Sequence, residues 1–374
     1  MTPSKPKLSL RSIADLIAAV PYLLGFHPAE SVVVVAFRDR RLIFVARVDL
    51  PPAGTAPTLQ RAAAGHLASV VAKQDADTAT VIGYGPAQRV TPAVEAVDVA
   101  LDRAGLTVVD VLRVNEGRYW SYTCGDPRCC PPDGTPYDPT VTEIAAAATY
   151  AGRVALPDRA ALARQVAPIG GAAREAMRRA TERARRRLDA LLATAPATDP
   201  RGQRALRKAG AVAIREAIQR HRAGGRLSDD EVAWLGLLLT HIPVRDDAWE
   251  RIGPDDWQIS LWVDLVRRVE PRLAAAPASL LAFAAWRCGQ GALASVALER
   301  ARQVAPGYPM AVLMDEVLRN GIPPWQLGGW PGPAERPRRR SGRQPRRRAP
   351  RGRTDKVLLG EGDDHDRGPG PHPA

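Results

Sequence analysis

Cys124, Cys129 and Cys130, three of the chain's four cysteines, stand close together in RYWSYTCGDPRCCPPDGTPY, from Arg118 to Tyr137. Thiolates are soft ligands and good nucleophiles, so the spacing C-x4-C-C is open to four readings. One is a zinc site, with sulfur filling part of a tetrahedron; paired ligands there are usually separated by about two to four residues, and a fourth ligand must come from elsewhere. Another is a redox pair, Cys124 with Cys129 or Cys130. A third is a nucleophilic thiol. The last is a stiff proline-rich loop whose cysteines pack beneath Trp120 and Tyr122.

A second group lies in Phe26-His27-Pro28, followed by Glu30 and Ser31. His27 is suited to carry a proton or to ligate a metal, with Glu30 or Ser31 orienting the ring. The bland alternative is a tight turn in which His27 and Ser31 only satisfy backbone groups. The turn sits between a helix and a buried strand, a junction where α/β proteins often hold ligands. The expectation is that His27 and the cysteine loop share one cleft, with His27 as the fourth zinc ligand. Gly83-Tyr84-Gly85 ends another strand but matches neither the dinucleotide nor the phosphate-loop fingerprint. No H-E-x-x-H and no G-x-S-x-G occurs.

The elements that must position these groups follow from periodicity. Leu8 to Leu24 has helical spacing, with Ser9 or Ser12 as cap and Gly25 as stop. Val32 to Phe37 is a β-branched run of the kind buried on both faces of a sheet. Leu42 to Leu50 makes its hairpin partner. A helix over 59–73, a strand over 78–84, a helix over 91–104 and strands over 106–114 and 118–122 complete a mixed sheet with helices on it. After about residue 158 only helices are expected, over 171–193, 204–222, 228–239, 246–252, 257–269, 278–288, 292–304 and 309–319. Ser228 and Glu231 form a capping box. The division is an α/β domain over 1–155, an all-α helical bundle over 156–328, and a disordered tail over 329–374 rich in Arg, Pro and Gly.

The chain has 374 residues and a formal charge of +13, and ten arginines fall between Arg336 and Arg353. That tail, with Arg338, Arg339, Arg340, Arg346, Arg347 and Arg348 at its densest, suits salt-sensitive, non-specific nucleic-acid binding. The arginines of 172–193 are open to two readings: a helix that tracks a phosphate backbone, or a face that is solvated or packed against an acidic neighbour. Trp234, Trp249, Trp257, Trp262 and Trp286 pin an alanine-rich core, or line a groove for a partner helix or peptide. No apolar run is long enough to span a bilayer, and the N-terminus lacks the apolar core of a secretory signal, so a cytoplasmic protein without a disulfide framework is expected.

SLRSIADLIAAVPYLLGFHPAESVVVVAF together with the YW…C…CCPPDGTPY element resembles an actinobacterial family called domain of unknown function 4192. The resemblance covers nearly the whole ordered chain and implies no activity. Gly289, Ala294, Leu298, Ala301 and Pro306 are similar in spacing to the second helix and exit of one tetratricopeptide repeat. The first functional reading is an interaction or regulatory protein that binds a protein partner through its helical half. The alternative is an enzyme or a small-ligand, metal or redox sensor using His27, Glu30, Ser31, Trp120 and the cysteines. The third is nucleic-acid association through the tail.

Overall fold

The computed structural model describes residues 10–139, 142–196, 198–199 and 202–327. The arginine-rich stretch and its proposed disorder therefore lie outside the described residues. Helix α1 (Ile13–Leu24) opens with a capping box in which Ser12 and Asp15 satisfy each other's backbone N–H groups. It ends at Gly25, whose φ of 83° is the left-handed stop that the sequence foretells. Strands β1 (Ser31–Arg38) and β2 (Arg41–Asp49) form the expected hairpin. Helix α2 (Pro57–Ala72), β3 (Thr78–Tyr84), α3 (Ala87–Arg103), β4 (Thr107–Asn115) and β5 (Arg118–Ser121) follow. A two-residue strand β6 (Thr135–Pro136), not foreseen from sequence, closes a sheet of order β2-β1-β3-β4-β5-β6. Only β3 and β4 pair in parallel, joined by the crossover helix α3.

Val32, Val33, Val34, Val35 and Ala36 are all buried, because β1 is covered on both faces. Val33 and Val35, with Ile82, Tyr84, Leu112 and Val114, meet Leu16, Ile17 and Val20 of α1. Val32, Val34, Val81 and Val111 meet Leu67 and Val71 of α2 and Val90, Val94 and Val97 of α3. Each fully buried aliphatic side chain contributes roughly 1.5–3 kcal/mol, so this two-sided core fixes the register of the strand ends. Helix α4 (Glu143–Tyr150), capped by Thr142, lies beside α1.

From α5 (Arg159–Arg164) onward the described chain is helical: α6 (Gly171–Ala193), α7 (Gln203–Arg222), α8 (Asp229–Leu238), α9 (Ile242–Glu250), α10 (Asp256–Arg268), α11 (Ala275–Arg287), α12 (Gly291–Val304) and α13 (Pro309–Arg319). The capping box of Ser228 and Glu231 is present. Helices α9 and α11 start a turn earlier than periodicity implies. Pro243 and Pro277 sit in their first turns, where a missing N–H breaks no helical bond. Trp234, Trp262 and Trp286 are buried in one core, and Trp249 and Phe283 pack edge to face. Three of the α6 arginines have partners in the helical region: Arg183 pairs with Asp230, Arg174 donates to the carbonyls of Arg268 and Val269, and Arg187 covers Trp234.

Two links join sheet and helices. Phe26, 1 % exposed, inserts into the helical core, while His27 N–H donates to Leu156 O and Leu156 N–H to Gly25 O. At the other link the buried Gln74 donates to Gly321 O at 2.6 Å.

Candidate functional site

The polar groups converge where α1 ends, β1 begins and β3 and β4 finish. A cleft of 270 Å³ lies there, walled by Ile17, Pro21, Tyr84, Val114 and Tyr137, with His27, Glu30, Asn115 and Glu116 as its polar groups. That is just under the roughly 300 Å³ at which pockets for drug-sized ligands begin. The position is the carboxyl end of the parallel strand pair, where open α/β sheets leave room for ligands.

Each polar group is placed by a specific piece of backbone. Glu30 enters β1 with φ of 43°, a conformation that costs a non-glycine residue about 1–3 kcal/mol. Its carboxylate accepts from Arg89 at 2.5 Å, and Arg89 also donates to Pro51 O at 3.0 Å. Gly85, at φ of 135°, makes room: a Cβ there would stand 2.8 Å from Glu30 Oε1. Glu116 and Gly117, both at positive φ, form the β4–β5 turn and carry the second carboxylate to the cleft. Among the described residues no ion pair holds Glu116. His27 is exposed, between the buried Phe26 and the half-buried Pro28.

Tyr84 is the unusual group. It is 6 % exposed, lines the cleft, and its hydroxyl has no hydrogen-bond partner among the described residues. Leaving such a group unpaired costs about 1–3 kcal/mol. Burial, with the nearby Tyr137, pushes its phenol well above the usual value. Burial raises Tyr137 too, with Asp138 adding to it. Ser31 pairs with Tyr84 across β1 and β3, and among the described residues its buried hydroxyl is likewise unpartnered. The arrangement can accept and orient a small polar molecule: aromatic and aliphatic walls, the buried Tyr84 hydroxyl and carboxylates on the turns.

The sequence marks His27, Glu30 and Ser31; the structure brings His27 and Glu30 to the cleft, and Ser31 lies outside its lining, paired with Tyr84. The sequence does not mark Tyr84, Asn115, Glu116 or Tyr137 as site residues. The available signal was strand alternation, which puts Ser31, Tyr84 and Val114 on the α1 face, together with the glycine after Tyr84.

The cysteine loop is a separate construction. Ser121 and Thr123 both donate to Asp110 Oδ1, at 2.7 and 2.6 Å, and Ser121 Oγ accepts the Cys124 N–H at 3.1 Å. Asp126 O accepts the N–H groups of Cys129 and Cys130. Trp120 donates to Pro132 O at 3.0 Å and lies under the Arg113 guanidinium, 3.5 Å from its ring centre. Gly134, φ 80°, sits against the Trp120 ring so closely that a Cβ would overlap it. The sulfurs of Cys124, Cys129 and Cys130 all lie within 4.8 Å of one another, and His27 is not among the clustered ligand groups. A hydrogen bond from Cys130, then one from the Asp126 N–H, holds the Cys124 thiol below its usual value. The same bond and burial push Cys130 up to about 12. No cysteine, and not Trp120, lines the cleft.

Fold and site together describe an α/β region with a cleft and an adjoining thiol loop, followed by a helical region. The chain belongs to the family described as domain of unknown function (DUF4192), whose pattern matches residues 14–325. No curated protein and no solved structure matches the chain. Among the described residues no helix is long and apolar enough to cross a membrane.

Proposed function

We propose that the chain is a regulatory protein whose α/β region binds a small polar ligand in the His27–Tyr84 cleft and whose helical region engages a protein partner. The observation that carries the reading is the Tyr84 hydroxyl, buried on a cleft wall and without a partner among the described residues. A fold retains such a cost most readily where a ligand supplies the missing bond. The lining holds no Lys or Arg; Arg89 neutralises Glu30 from outside it, and Glu116 remains as the acidic group. The ligand is therefore neutral or cationic, carries hydrogen-bond donors, and is no larger than a nucleoside or an amino acid. The coupling rests on Phe26. It is adjacent to His27 yet buried in the helical core, so a shift of the His27 turn is felt by the packing of the helices. The Arg-rich tail adds a non-specific polyanion contact in this proposal.

The test is a thermal-shift panel of nucleosides, amino acids and small amines on the full chain and on Tyr84→Phe. A ligand at a hundred times its Kd stabilises by about 2.7 kcal/mol. The expected result is stabilisation of the native chain by at least one of these molecules, lost in Tyr84→Phe, while ligand-free Tyr84→Phe is as stable as the native chain or more so by about 1 kcal/mol. Stabilisation that survives in Tyr84→Phe would place the ligand elsewhere, and no stabilisation by any panel member would remove the cleft as a site for these classes.

A further inference from the structure

The cysteine loop is outside the cleft and has a chemistry of its own. Three sulfurs from a segment of seven residues lie within 4.8 Å of one another. Adjacent thiolates of one tetrahedral zinc site stand roughly 3.8 Å apart when each Zn–S bond is about 2.3 Å. The observed grouping therefore needs small side-chain rotations and no refolding of the loop. A disulfide would use two of these sulfurs and leave the third without a role. A nucleophile would need one.

The backbone around the trio is fixed from several sides. Asp110 holds Ser121 and Thr123, and Ser121 holds the Cys124 N–H. Asp126 O gathers the N–H groups of Cys129 and Cys130, and Arg128 N–H closes on Asp126 Oδ1 at 2.9 Å. Pro131 and Pro132 stiffen the exit, where Trp120 and Arg118 bond the carbonyls of Pro132 and Gly134. Such outer support is what orients metal ligands. Cys124 and Cys130 are half-buried and Cys129 is exposed, so an ion can reach all three.

We propose that Cys124, Cys129 and Cys130 together bind one zinc ion as thiolates, leaving the fourth coordination position open to water or an exogenous ligand. Among the described residues no histidine or carboxylate joins the trio, which is why the fourth position is open. Three protein ligands and one exchangeable position is the pattern of zinc sites that meet small molecules, whereas closed structural sites use four. Zinc binding releases the thiol protons as the ligands deprotonate. The proposal stands independently of the cleft.

The experiment uses the reduced, chelator-treated full chain. Zinc is titrated against a chromophoric chelator, and iodoacetamide labelling of each cysteine is followed by mass spectrometry with and without zinc. Expected are one zinc per chain and slower labelling of Cys124, Cys129 and Cys130, with labelling of Cys288, at the end of α11, unchanged. Replacing any one of the three by serine should weaken affinity by more than the roughly 10–100-fold that loss of an outer hydrogen-bond partner costs. Cys288→Ser should leave it unchanged. Cobalt substitution should give sulfur-to-metal charge-transfer bands, a readout that needs no variant to fold. Equal labelling with and without zinc would overturn the proposal. So would zinc retained in all three serine variants, or ready formation of a Cys124–Cys130 disulfide by a chain with no zinc affinity.

Discussion

The cleft and the cysteine loop both draw on the β4–β5 region, and they are assembled in contrasting ways. The cleft takes its residues from five separate stretches: α1, the turn from His27 to Glu30, the β3 exit, the β4–β5 turn and Tyr137–Pro139. Its decisive group, Tyr84, is buried, and its hydroxyl lacks a partner among the described residues. The loop takes its three sulfurs from one short segment, and its backbone polar groups are satisfied by near neighbours and by Asp110. The first kind of site exists only when the sheet is complete. The second needs its own turn and two tethers, Asp110 and Trp120. The cleft should therefore respond to distant packing changes that the loop ignores.

The largest test of that difference is Phe26→Ala. It removes a ring buried in the helical core and should cost about 3–5 kcal/mol in urea unfolding. Labelling rates of Cys124 should stay as they are under native conditions. If they change as much as ligand binding does, the two sites are not independent.

Next comes Gly134→Ala. A Cβ there meets the Trp120 ring on a backbone with φ of 80°, and such strain costs about 1–3 kcal/mol. Tryptophan fluorescence and zinc affinity should both change, and the Tyr84-dependent ligand response should not. A lost ligand response would show that the loop supports the cleft through Tyr137, which follows it and donates its N–H to Gly117 O.

The smallest effect is alkaline. Tyr84 and Tyr137 have raised values in the folded chain. The folded state thus keeps protons that the unfolded chain releases near the ordinary tyrosine value of about 10. Stability from these groups is complete below that pH and falls as pH rises above it. Ultraviolet titration should show two of the seven tyrosines ionising late. In Tyr84→Phe only one late tyrosine should remain, and alkaline loss of stability should be shallower. Seven tyrosines ionising together would contradict the burial on which the cleft rests.

Much of the fold was legible because its causes are local. The β-branched run in β1, the Ser12 and Ser228 caps, the Gly25 stop and helices 171–193 and 309–319 follow from neighbours a few residues apart. Strand β6 was not legible, since two residues carry no period. The early starts of α9 and α11 were missed because proline marks a break in sequence yet fits a first helical turn. Of the sites, the sequence alone determined that three thiols lie on one proline-stiffened loop and that His27, Glu30 and Ser31 occupy a helix-to-strand turn. Tertiary structure decided which groups meet. Sheet order set Tyr84 beside Ser31, the β4–β5 turn brought Glu116 to the cleft, and Phe26 tied that corner to the helices. Local propensity depends on residues within a turn or two, whereas the neighbours of a buried side chain are chosen by strand pairing across more than fifty residues of chain between Ser31 and Tyr84.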